Sequence, residues 1–122
     1  MALAYVLDEH LRGELWQAIL SHNAKGVYPV DAVCVGAAFD LPLGSSDPEI
    51  LLWGERYSRI LVTRDEKTMK THLADHLSNG HHSPGVFLIR KGSTIPEVVS
   101  FLVAAAHASE TADWQDQWAY IP

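Results

Sequence analysis

Short apolar runs alternate along this chain with longer stretches of helical period, and that alternation constrains the fold more than any other feature. "LAYVLD" (residues 3–8), "VDAVCVGAAF" (30–39), "RILVT" (59–63) and "GVFLIR" (85–90) each read as a short buried strand. "EHLRGELWQAILSHNA" follows the first, with Leu11, Leu15, Trp16 and Ile19 at helical spacing and stop signals from Asn23 to Gly26. A loop dense in Pro, Gly, Ser and Asp, "DLPLGSSDPE", leads into a helix beginning near Asp47, with Pro48 suited to its first turn. "EKTMKTHLADHLSNG" reads as a helix closed by Asn79-Gly80, and "TIPEVVSFLVAAAHAS" as a long apolar one. The order predicts an α/β fold with a mostly parallel sheet of four or five strands and helices on both faces.

At 122 residues the chain fits a single domain. Residues 109–122 form a C-terminal tail in which "WAYIP" reads as an edge strand. Trp114 and Trp118 of this tail either pack on the domain or make a dimer contact.

The net charge of −6 disfavours acidic partners overall, yet seven of the nine basic residues fall between Arg56 and Lys91. Cys34 is the only cysteine, so no internal disulfide forms, and its apolar setting suggests an inert core thiol. No signal peptide pattern opens the chain and no apolar run reaches the roughly 18 residues of a membrane helix. A soluble cytoplasmic protein is expected.

Doubly wound sheets bind ligands beyond the carboxyl ends of their strands, near the point where strand order reverses. Asp8 ends the first strand and Asp65 follows the third. If those strands are neighbours, the two carboxylates share one cleft. Close carboxylates repel unless a cation or proton intervenes, and oxygen ligation suits Mg²⁺ or Mn²⁺. "SSDPEIL" offers a third acid, Asp47 or Glu49. Each acid also reads as a helix cap: Asp8 and Asp65 precede helices, and Ser46-Asp47-Pro48-Glu49 matches the S-x-x-E capping box.

His72 and His76 have the i, i+4 spacing of a zinc pair, but the glutamate of H-E-x-x-H is missing and His81-His82 reads as a polar loop. No G-x-S-x-G, P-loop or G-x-G-x-x-G occurs, which disfavours those hydrolase and nucleotide chemistries.

"LDE" (residues 7–9), "SDPEIL" (46–51), "VTRD" (62–65) and "SPGVFLI" (83–89) fall in the order and spacing of the compact PIN-like nucleases, toxin components of bacterial toxin–antitoxin pairs, and the chain resembles that family from residue 3 to about residue 104. The resemblance implies a three-layer α/β/α Rossmann-like PIN-like domain. It implies a Mg²⁺- or Mn²⁺-dependent endoribonuclease in which Asp8, Asp47 and Asp65 bind the metal and carry catalysis, with Glu9 and Glu49 as auxiliary acids. The ion would activate water for attack on a phosphodiester. Arg64, Lys67 and Lys70 flank Asp65 and would position the RNA backbone. A cognate antitoxin is the expected partner. Many relatives continue V-T-x-D with x-D-F, whereas this chain has Lys67 and Thr68 there. That departure supports an alternative, a catalytically degenerate PIN-like module that binds a protein. A second alternative is a receiver-like domain that accepts phosphate at a strand-tip acid, although Lys91 is followed by Gly92 rather than proline.

Overall fold

The strand sequences alternate between two apolar faces, and each face finds its own pair of helices. The computed structural model describes residues 2–122. Its elements are β1 (Ala4–Leu7), α1 (Glu14–Ala24), β2 (Asp31–Cys34), α2 (Asp47–Tyr57), β3 (Ile60–Thr63), α3 (Glu66–Ser78), β4 (Val86–Ile89), α4 (Ile95–Ala108) and β5 (Trp118–Ile121). The five strands form one parallel sheet in the order β2-β1-β3-β4-β5. Order therefore reverses between β1 and β3, the switch point of a doubly wound sheet.

Successive strand side chains point to opposite faces. Tyr5, Leu7, Ile60, Val62, Phe87 and Ile89 pack with Leu15 and Ile19 of α1 and Val98 and Leu102 of α4. Val6, Leu61, Val86 and Leu88 pack with Ile50 and Leu51 of α2 and Met69 and Leu73 of α3. The result is a three-layer α/β/α sandwich with a core on each side of the sheet. Such double burial is why the strands read as continuous apolar runs.

Two expected elements are shorter than their apolar runs. The chain leaves β2 after Cys34, because Gly36 turns at φ +94° and its N–H bonds the Leu41 carbonyl of the following loop at 2.8 Å instead of a neighbouring strand. The helix after β1 is split: Glu9–Leu11 make one 3₁₀ turn, and α1 begins only after Gly13. The starts of α2 and α4 follow their sequence signals closely. Ser46 and Thr94 form capping boxes with Glu49 and Glu97, and each helix has a proline in its first turn.

The tail belongs to the domain. Trp114 meets Phe87 edge-on with ring centroids 4.9 Å apart, and its indole N–H donates to Ser109 Oγ at 2.8 Å. A Cβ on Gly85, whose φ is +130°, would lie 2.8 Å from the Trp114 carbonyl oxygen, so only glycine admits this approach. β5 then pairs in parallel with β4 from Trp118 to Ile121. Cys34 is free and fully buried, and burial pushes its thiol up to about 11. Among the described residues no helix is long and apolar enough to cross a membrane.

Candidate metal centre at the carboxyl edge of the sheet

The register of β1 on β3 places the first acid. Val6 pairs with Leu61 and Leu7 with Val62, and the Asp8 N–H continues the ladder by donating to the Val62 carbonyl at 3.0 Å. Asp8 has the same parity as Val6, and Thr63 the same as Leu61, so both side chains project on the α2/α3 face. There the Thr63 hydroxyl donates to Asp8 Oδ2 at 3.0 Å, both residues being buried. The same hydroxyl accepts the Asp65 N–H at 3.1 Å. One threonine thus joins the two strand-tip acids.

Asp47 stands in the first turn of α2 on this face. Burial raises its carboxyl pKa, the His72 ring opposes that, and the charges of Asp8 and Asp65 raise it further. Asp47 therefore lies within electrostatic reach of both Asp8 and Asp65. His72 Nε2 is 3.6 Å from Asp47 Oδ2, so a protonated ring would partly neutralise the cluster.

The capping expectations divide. Asp8 precedes the 3₁₀ turn but makes no side-chain cap. Asp65 does cap α3: its Oδ1 accepts the Thr68 N–H at 3.2 Å and its Oδ2 accepts the Thr68 hydroxyl, which holds its carboxyl below the usual carboxylate range. Glu49 is held in its box by Ser46. Glu9 Oε1 accepts the Gly44 N–H at 2.8 Å and so fastens the loop before α2 to the tip of β1.

The donor set fits a hard divalent cation. Asp8 Oδ1 and both oxygens of Asp47 take no hydrogen bond from the described residues, while Asp65 offers only oxygens already bonded to Thr68. Mg²⁺ and Mn²⁺ use few protein carboxylates and keep several waters, so an ion here would draw on Asp8 and Asp47, with Asp65 as a shared contact. The three carboxylates are more widely spread than the one tight group of three metal-binding side chains among the described residues, Glu55, His76 and His81. Unneutralised carboxylates repel, which favours such spreading.

An open cavity of about 860 Å³ lies at the same edge, lined by Arg64, Glu66, Arg90, Lys91, Ser93 and Tyr120 among others. Arg64 follows β3 and Arg90 follows β4, so the rule that delivers Asp8 also delivers these cations. Lys70 is committed elsewhere: its Nζ bonds the Tyr120 hydroxyl at 2.8 Å and lies 4.0 Å from the centre of the Trp118 ring. Lys67 is exposed, with no acid in contact among the described residues.

Sequence reasoning had not singled out Thr63, Thr68 or Arg90 for a role here. Thr63 and Arg90 were findable from strand parity and strand ends. His72 and His76 do not act as a pair; His72 turns to Asp47 and His76 to Glu55. No family model, curated protein or solved structure matches this chain. The class is accordingly defined by its fold and site alone: a doubly wound α/β domain with an acidic cluster at its switch point.

Proposed function

We propose that this chain is a Mg²⁺- or Mn²⁺-dependent ribonuclease of the PIN-like kind, acting as the toxin of a type II toxin–antitoxin pair with a cognate antitoxin as its partner. The observation that carries the nuclease reading is the Thr63 hydroxyl joined to both Asp8 and Asp65, with Asp47 facing them from α2. The toxin role and the antitoxin rest on the motif resemblance.

Asp8 and Asp47 hold the cation and Asp65 shares it. When bound, the cation supplies positive charge for the phosphodiester and lowers the pKa of a water. Thr63 fixes Oδ2 of the Asp8 carboxylate and leaves Oδ1 for the cation. Arg64, Arg90 and Lys91 line the adjoining cavity and bind the RNA phosphates, with Lys67 as a further exposed cation. Net charge −6 disfavours nucleic acid overall, and the cations lining this edge are the local exception.

The test is cleavage of a mixed single-stranded RNA with Mn²⁺, using the intact chain and its Asp8→Asn and Asp47→Asn variants. Cleavage that stops on chelation and in both folded variants supports the assignment. Equal cleavage by all three proteins rejects it.

The degenerate, protein-binding reading is supported by Lys67 in place of an acid and by the closure of both Asp65 oxygens by Thr68. Under that reading the intact chain shows no carboxylate-dependent Mn²⁺ binding.

A further inference from the structure

A second cluster lies along α2 and α3, away from the acids. Asp47 and Glu55 are about two turns apart on α2, roughly 12 Å along its axis. His76 lies in the last turn of α3, and His81 follows in the loop. Glu55 Oε1 is 3.2 Å from His76 Nε2 and 3.1 Å from His81 Nδ1. The two imidazoles stack, with centroids 4.8 Å apart and planes inclined by 22°, and present one nitrogen each to the same oxygen.

We propose that Glu55, His76 and His81 form a binding site for a borderline transition-metal ion, Zn²⁺ being the best fit. Metal–ligand bonds of about 2.0–2.1 Å in a tetrahedral site place ligand atoms about 3.3 Å apart. The two nitrogen–oxygen separations lie close to that spacing before any ion is bound. Two imidazoles and one carboxylate suit Zn²⁺, whereas Mg²⁺ prefers oxygen alone. The site thus differs in chemistry from the acidic cluster and does not depend on the ribonuclease reading.

Two further features prepare it. The His82 N–H donates to Glu55 Oε2 at 3.1 Å, which orients the carboxylate and leaves Oε1 toward the rings. Such outer contacts are what fix metal ligands in place. The His82 ring and backbone are in turn pinned to Asp116 of the tail, at 2.9 Å from Nδ1 to Oδ2 and through the neighbouring Ser83 N–H at 2.7 Å. His76 is 6% exposed, so its position is set by the core, while His81 is exposed and faces solvent. A cavity of about 550 Å³ lined by Glu55, His81, Trp53 and Arg56 gives access and room for a water as fourth ligand.

Binding has one local cost. Without metal, His76 Nε2–H donates to the His82 carbonyl at 2.9 Å. Coordination through Nε2 requires that nitrogen to give up its proton and breaks this hydrogen bond. The return is a clamp between α2, α3 and the loop after it.

The test is calorimetric titration of the untagged, metal-free chain with Zn²⁺, paired with Co²⁺ absorption as a reporter of tetrahedral geometry. With excess Mg²⁺ present to occupy the acidic cluster, the intact chain should bind one equivalent of Zn²⁺, show ligand-field bands with Co²⁺ and melt at a higher temperature with Zn²⁺. His81→Ala replaces an exposed residue and should preserve the fold, and Glu55→Gln keeps the side-chain shape; each should weaken Zn²⁺ binding at least about tenfold. Asp8→Asn should bind Zn²⁺ as the intact chain does. Absence of saturable binding by the intact chain overturns the proposal. So does undiminished binding by His81→Ala, or loss of binding in Asp8→Asn, which would move the ion to the acidic cluster.

Discussion

Thr63 donates its hydroxyl proton to Asp8 Oδ2 at 3.0 Å, across two neighbouring parallel strands, and Thr63 Oγ1 itself accepts the N–H of Asp65 at 3.1 Å. Thr63→Val keeps the shape and buried volume of the side chain but removes both bonds. Mn²⁺ affinity and RNA cleavage should fall about 10–100-fold, the usual effect of losing a group that orients a metal ligand. The circular dichroism spectrum should be unchanged. Calorimetry and a cleavage assay on the same preparation check this, and wild-type values in both would show that Thr63 orients nothing.

Arg90 should act on RNA binding through charge alone. Each phosphate contact to a single strand contributes about 0.7 to the slope of log affinity against log salt concentration. Arg90→Ala should lower that slope by about 0.7 for every RNA sequence tested, and leave Mn²⁺ affinity unaltered. Fluorescence anisotropy with a labelled RNA over a salt series measures it.

Asp40 ties the loop before α2 to that helix. Its Oδ1 accepts the Trp53 indole N–H at 2.9 Å and its Oδ2 accepts the Tyr57 hydroxyl at 2.7 Å. The Tyr57 bond, then the Trp53 bond, hold the Asp40 carboxyl below its usual range. Because the folded-state pKa is depressed, the stabilisation is present above the unfolded pKa of about 3.9 and is lost as pH falls through the lower, folded value. The difference in melting temperature between the intact chain and Asp40→Ala should therefore be largest near neutral pH and narrow as pH drops below about 4. A gap independent of pH between 2 and 7 would contradict the assignment.

Gly85 and Trp114 lock the tail to the sheet. Gly85→Ala forces a side chain into positive φ and against the Trp114 carbonyl, and Trp114→Ala removes half-buried aromatic packing on Phe87. Each should destabilise the domain by about 2 kcal/mol, less than the 3–5 kcal/mol of a fully buried aromatic. Urea denaturation checks both. Loss of dimer with unchanged stability would instead place Trp114 in a contact between copies.

The sequence made the three layers legible, because the central strands β1, β3 and β4 bury both faces and so appear as nearly unbroken apolar runs, whereas the edge strands β2 and β5 stay partly exposed. The ends of β2 were not legible: "VCVGAAF" stays apolar past Cys34, and only the backbone turn at Gly36 stops the strand. The acids Asp8 and Asp65 were legible as strand-tip residues. The threonine between them was hidden, since its role depends on the β1–β3 register, a long-range fact. The i, i+4 spacing of His72 and His76, which without the glutamate of H-E-x-x-H argued against a zinc pair, makes none. Helix spacing puts both on one face of α3, but each meets a different residue of α2.

Mn²⁺ calorimetry on the intact chain and on Asp8→Asn and Asp47→Asn probes the acidic cluster most directly, with His81→Ala as a control that leaves those acids in place. The expected result is saturable Mn²⁺ binding by the intact chain and by His81→Ala, and a loss of at least about tenfold in each aspartate variant. Binding that is absent from the intact chain, or equal in all four proteins, would contradict a cation pocket built from Asp8 and Asp47.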